Sequence, residues 1–421
     1  MKRLLSSRLV RNTGWMFLGQ VLGYGLKIVY FIAIARLLGV LQYGVIVGAF
    51  ALVNIVANYS RLGMGTVLLR YVSASPSKFA EYWGNILIVT AAMGGFLILL
   101  LRVVAPHILS PASARVVVLT AVASALCEQI TMSATQAFLA FQSMRIAAVL
   151  GQLTPLFRTF AAIGMLLIMH RATAYQWVLA LAISSAAAAI IAATVVTMRL
   201  GWPHFKPYLI PKRVREGAQY AFADSTASVY NDFDKTMLSH FGMNAANGIY
   251  GMAYRIIEMG SVPFASIQLA AEPRLFQLAA GGPDEPIRLG RRLLRHSVLV
   301  SAAAALGIFL CAPLIPLLAG RGFDEAVSAL RWLCVIPIFR SVHGVTGSVL
   351  TSLGLQRYRT MTQIAAAVLN FGLNLWLIPR YGWHGAAWAS LATDGTLGVS
   401  NWCLLEMKSK RLLGHLAYRQ V

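Results

Sequence analysis

Charge is scarce in this 421-residue sequence, and acidic charge is scarcest: 14 Asp and Glu stand against 36 Lys and Arg, with 12% charged residues overall. A soluble domain averages about 25% charged residues, so the chain is not an ordinary globule. The four cysteines, Cys127, Cys311, Cys334 and Cys403, fall singly inside apolar runs. They lack metal-ligand spacing, which excludes a disulfide framework and a zinc site, and no cofactor is expected. Histidine–acid constellations are also wanting: His107, His170 and His240 are scattered singly. A cleavable signal peptide is not expected either. Lys2, Arg3, Arg8 and Arg11 precede a full-length apolar run, the pattern of a retained first helix with its N-terminus inside. The net charge of +22 would suggest nucleic acid in a soluble protein. In a chain that is 58% hydrophobic it reads instead as loop anchoring plus charge inside a membrane, and no nucleic-acid partner is expected.

What the chain has is long apolar runs. About twelve are long enough to cross a bilayer as helix. They lie near 15–38, 44–60, 84–105, 115–141, 147–169, 174–198, 217–240, 245–272, 293–319, 325–352, 360–379 and 383–405. The fold class is therefore all-α: a polytopic membrane protein with two six-helix lobes. Residues 1–198 form the N-terminal lobe and 217–421 the C-terminal lobe with a basic tail. Between them, 199–216 holds three prolines and several basic residues and reads as a cytoplasmic linker whose cations meet anionic lipid head groups. With both termini inside, the inner connections collect most of the Lys and Arg, the asymmetry that fixes orientation.

The first run, from Trp15 to Leu38, carries Lys27 near its middle and no acid at all. A charge there costs roughly 2.5–3.5 kcal/mol on insertion scales, so it should face water, a partner or a ligand. Helical spacing puts Gln20, Tyr24, Lys27 and Phe31 on one face, and Gly19 with Gly23 on a strip where another helix can approach. The plainer alternative is that Lys27 snorkels or pairs with a carboxylate from elsewhere.

Short motifs then recur in order. Arg36 to Gly39 is followed by Gln42, Tyr43 and Gly44; Leu62 and Gly63 precede Arg70 and Tyr71. Asp232 to Lys235 precedes Gly248 to Tyr250, and Asn370 with Asn374 comes ahead of Ile378, Pro379 and Gly385 to Ala387. In these the chain resembles the polysaccharide (O-antigen or exopolysaccharide) flippases of the multidrug/oligosaccharidyl-lipid/polysaccharide (MOP) exporter superfamily. The resemblance implies a pair of six-helix bundles in a bacterial inner membrane that flips a polyprenyl-pyrophosphate-linked oligosaccharide to the outer leaflet. Membrane lipids, and the glycan polymerase and glycosyltransferases of the pathway, are the partners it implies.

Intramembrane cations suit such an anion, because guanidinium offers bidentate contacts to phosphate oxygens and lysine a point charge. The candidates are Lys27, Arg158, Lys235, Arg255 and Arg340, the last with His343 one turn on after a break expected at Pro337. Three of them have a competing role: Arg158 can pair with Glu128, Arg255 with Glu258 and Lys235 with Asp232. Arg331 lies near a span end and should snorkel. Asn54 with Asn58, and Asn370 with Asn374, share helix faces; such amides are as often interhelical glue as glycan contacts, with Asn54 and Asn374 the candidates here. Asp224 and Asp232 are candidates for ion coupling. A drug–cation antiporter of the same fold, and a membrane-embedded glycan polymerase or transferase, are the rival readings.

Overall fold

Where the sequence carries an apolar run, the chain is helical. The computed structural model describes the backbone of residues 2–419 and the side chains of 14–409, except those at 209, 212, 223, 224, 226, 227 and 230. In order, the helices are α1 (Lys2–Ala57), α2 (Met64–Ala74), α3 (Phe79–Ile108), α4 (Pro111–Ala121), α5 (Glu128–Ala140), α6 (Met144–Gly151), α7 (Leu153–Met169) and α8 (Ala174–Leu200). Then come α9 (Ile210–His240), α10 (Asn244–Gly260), α11 (Val262–Ala279), α12 (Asp284–Cys311), α13 (Leu314–Ala319), α14 (Asp324–Leu333), α15 (Ile336–Ser352), α16 (Gln356–Tyr381) and α17 (Trp383–Arg419). No strand occurs among the described residues.

Each expected span falls on helix. By length and hydropathy, eight helical stretches among the described residues can cross a membrane. Four spans separate that number from the expected twelve. The first stretch holds two expected spans joined without a loop, and the expected spans at 217–240, 245–272 and 383–405 are not among the eight. Ile168, Leu167, Leu99, Val103, Leu299 and Leu317 are widely exposed, as lipid-facing side chains are.

Packing divides the chain into two compact units, Met1–Gly248 and Ile249–Val421. The basic connection at 199–216 lies inside the first, because α9 packs along α1. α1 also meets α4, α6 and α7. The strip of small residues works as its spacing predicts: Gly19 faces Ala148, and Gly23 is buried against Gln152. Near one end of this unit, Met64, Leu68, Phe79, Trp83, Ile86 and Phe138 form a buried core. In the second unit α12, α16 and α11 gather around α15 and α17, with Leu275, Ile287, Val349, Leu350 and Leu405 in its core.

Two glycines make the first hairpin possible. Gly39 bends α1 between its two spans with φ 65° and ψ 173°, a conformation that side chains with a Cβ avoid. Gly44 sits so close to the start of α10 that a Cβ would lie 1.7 Å from the Asn244 carbonyl oxygen. Nearby, the Ser110 hydroxyl donates to Asn244 Oδ1 at 3.0 Å, and Asn247 Nδ2 donates to the Lys235 and Gly44 carbonyls at 3.0 and 3.3 Å. Gly44→Ala must push this joint apart and is expected to cost about 1–3 kcal/mol, read as a lowered unfolding midpoint in micelles. Gly25→Ala, with nothing within 4 Å of its Cβ, is the neutral comparison.

Candidate functional site

The first unit holds a half-open polar cavity of about 190 Å³. Asn54 and Asn58, at the end of α1 and in the turn after it, line one side. Ser124 comes from a π-helical segment, Val122–Cys127, that joins α4 to α5; Glu128 and Gln129 open α5. Ser228 and Asp232 face them from α9. The wider π turn frees a carbonyl from the helical ladder, and Gln129 Nε2 donates to that oxygen of Ser124 at 3.3 Å. Across the cavity Asn54 Nδ2 donates to Asp232 Oδ2, and Asn58 Nδ2 to Ser228 Oγ, both at 3.3 Å.

Both carboxylates of the cavity are held from behind by a cation. Arg158 Nη2 donates to Glu128 Oε2 at 3.0 Å while its Nε donates to Ser185 Oγ, also at 3.0 Å. Lys235, 6% exposed, has Asp232 Oδ1 at 3.2 Å and Asp234 Oδ1 at 3.5 Å, and also donates to the Asn231 carbonyl. Buried ions cost several kcal/mol each unless paired and hydrogen-bonded, and these are both.

The second unit has its own charged cluster. Asp394 on α17, 1% exposed, stands 3.8 Å from Arg340 Nε and 3.8 Å from His343 Nε2 on α15. Arg340 also donates to the Tyr254 hydroxyl and lies over that ring. The expected break is there: α14 ends at Leu333, and α15 begins at Ile336 with Pro337 in its first turn. Asn374 Nδ2 donates to Asn370 Oδ1 at 2.8 Å and Asn370 Nδ2 to Thr393 Oγ1 at 3.2 Å, which ties α16 to α17.

Among the expected cations, then, Arg158, Lys235, Arg255 and Arg340 each have a carboxylate within 4 Å. Lys27 differs. It is exposed, its Nζ lies 5.4 Å from the Tyr24 ring centroid, and no described carboxylate comes within ion-pair distance. Arg255 meets Glu258 at 2.9 Å in a surface pair, so Arg255→Ala is expected to move stability by less than about 0.5 kcal/mol in a denaturation series. Arg331 is exposed over Phe309. The side chain of Asp224 lies outside the described residues.

Sequence reasoning put Ser228 on one helix stripe with Asn231 and Lys235 but did not single out Asp394, Ser124 or Gln129. An acid within the last apolar run was a usable signal for Asp394; nothing in the spacing marked the other two. Outside the spans, Lys206 donates to Glu81, and that bond raises its pKa above the ordinary lysine value. Arg70, paired with Glu216 at 2.7 Å, is raised likewise by the carboxylate.

A protein-family model described as "Polysaccharide biosynthesis protein" matches residues 9–279. An uncharacterized membrane protein of Methanocaldococcus jannaschii is 26% identical over 184 residues, 43% of this chain; the chain spans 42% of that relative's length. Among solved structures, an inward-facing multidrug-resistance MATE transporter of the MOP superfamily superposes with a TM-score of 0.74 at 13% identity, covering 92% of this chain and 95% of that one. An outward-facing multidrug-resistance MATE transporter gives 0.64 at 15% identity, over 97% and 96%. A MOP superfamily transporter from Pyrococcus furiosus, described as having a binding pocket of reverse polarity, gives 0.63 at 13% identity, over 96% of each chain. With well over half of its length matched by the model, this chain belongs to the polysaccharide biosynthesis protein family, on the helical membrane fold of the MOP transporters.

Proposed function

We propose that this protein is a flippase: it moves a polyprenyl-pyrophosphate-linked oligosaccharide from the cytoplasmic to the outer leaflet by alternating access, for surface polysaccharide synthesis. The observation that carries the reading is Lys27, a cation at mid-span with no acid of its own among the described residues. A lysine left uncompensated at that depth costs roughly 2.5–3.5 kcal/mol, and a passing pyrophosphate offsets this cost. The lipid tail stays in the bilayer, so only the head group and sugars need polar surroundings. Release follows if fewer contacts reach the pyrophosphate in the second state, since a ligand shifts a balance only by its differential affinity.

In this reading Lys27 is the first pyrophosphate contact. Arg158, Lys235 and Arg340 are fixed ion pairs that shape polar surfaces, and Asn54 belongs to the cavity wall. The protein sits in a bacterial inner membrane with both termini cytoplasmic and takes its substrate from the glycosyltransferases of the pathway. An ion-coupling role at Asp232 competes with its pairing to Lys235 at 3.2 Å. If Asp232→Asn leaves the gradient dependence of flipping unchanged, coupling is ruled out for that residue. A drug–cation antiporter is not favoured, because the matching family model is one of polysaccharide biosynthesis and the first span holds no acid.

Complementation tests the reading. Expression in a flippase-deficient strain is expected to restore surface polysaccharide. Dye efflux without restoration would replace the flippase with a cation exporter.

A further inference from the structure

We infer that the cavity between α1, α5 and α9 is a subsite for one neutral, hydroxyl-rich sugar residue of the cargo, and not a cation site. The inference rests on the flippase reading for the identity of the cargo, and on four features of the cavity for the chemistry.

The first is charge. Both carboxylates that line it, Glu128 and Asp232, are already met by Arg158 at 3.0 Å and Lys235 at 3.2 Å. Each lining carboxylate thus has a cation at hydrogen-bond distance, with Lys235 shared between Asp232 and Asp234, so the lining offers neither an unpaired carboxylate to a metal cation nor a free cation to a pyrophosphate. The second is the mix of donors and acceptors. Two carboxylates offer acceptors only, three amides offer both roles, and two hydroxyls adapt to either. Sugar hydroxyls donate and accept at once, and neighbouring ones match the paired oxygens of a carboxylate. Because Arg158 and Lys235 fix those carboxylates in place, little side-chain freedom is lost on binding.

The third is unmet capacity. Gln129 and Ser124 are each 4% exposed, and both line the cavity. Gln129 Oε1 and Ser124 Oγ have no hydrogen-bond partner within the protein. Buried polar atoms are nearly always bonded, so these two side chains keep spare hydrogen-bonding capacity beside the cavity. The fourth is size and lining. A water needs about 10–15 Å³ of such volume, against about 190 Å³ here, while pockets for drug-sized ligands begin near 300 Å³. One sugar ring falls between. Ala57 and Met132 supply the apolar contact that the C–H face of a ring requires.

Saturation-transfer NMR on the full chain in nanodiscs tests this, with free D-glucose, D-galactose and N-acetyl-D-glucosamine as probes. Wild type is expected to bind at least one of them weakly. Gln129→Leu and Asn58→Ala, each first shown to unfold at the wild-type midpoint, are expected to weaken that binding about tenfold. Replacing sodium chloride by choline chloride is expected to change nothing. Transfer to none of the three sugars, equal transfer in both variants, or a stabilisation specific to sodium that Glu128→Gln removes would each overturn the subsite. The same preparations, assayed for flipping of a lipid-linked oligosaccharide, separate the two ideas. Flipping that persists in Gln129→Leu, with no sugar bound by wild type, sinks the subsite and leaves the flippase. Sugar binding that the variants abolish, with no flipping by wild type, does the reverse.

Discussion

Lys27→Glu is expected to abolish rescue of a flippase-deficient strain, while Lys27→Arg retains much of it. A hydrogen bond to a charged group contributes roughly 1.5–3 kcal/mol, so Lys27→Ala should cost about one to two orders of magnitude in affinity for the pyrophosphate. Glutamate adds repulsion to that loss. Arginine keeps the positive charge and adds donors, although its fork presents them differently. Acidic and basic side chains cost about the same to insert at a span centre, roughly 2.5–3.5 kcal/mol, so lowered insertion does not explain a difference between Glu and Lys. Surface polysaccharide and membrane protein level are measured together. Full rescue by Lys27→Glu at normal protein level would remove Lys27 from the pyrophosphate site.

Lys235→Met is expected to give the largest loss of stability, about 3–5 kcal/mol, because it takes a cation away from two carboxylates that lie mostly out of water. Lys235 lies within 4 Å of both Asp232 and Asp234, whose side chains are 16% and 3% exposed. Removing all three charges together, as Asp232→Asn, Asp234→Asn and Lys235→Met, should recover most of the loss, since isosteric neutral groups need no counter-ion. Unfolding midpoints in micelles measure both. A single variant no less stable than the triple one would mean that water, and not Lys235, compensates these acids.

Much of the architecture was legible because bilayer thickness dictates it: apolar runs of the right length became helices wherever they occurred. The glycine strip at Gly19 and Gly23 and the break before Pro337 were readable for a similar reason, each being a local steric fact. Partnership between distant helices was less legible. Periodicity names the face that Arg158 occupies on α7, but it does not by itself say which residue of α5 that face meets; Glu128, the carboxylate expected to pair with it, is the one that does. The cavity wall was hidden for a further reason. Its orphaned groups, Gln129 and Ser124, sit around a π turn that shifts side chains off regular helical spacing. Asp394 was visible as an intramembrane acid, yet its place beside Arg340 and His343 depends on how α17 packs against α15.

The central claim is that this protein flips a pyrophosphate-linked glycan lipid. Reconstitution into vesicles with a fluorescent polyprenyl-pyrophosphate oligosaccharide, followed by a quencher or glycosidase outside, tests it most directly. Wild type is expected to expose the labelled lipid on the opposite leaflet far faster than empty vesicles or the Lys27→Glu variant. Exposure at the rate of empty vesicles, with protein correctly inserted and folded, would contradict the account.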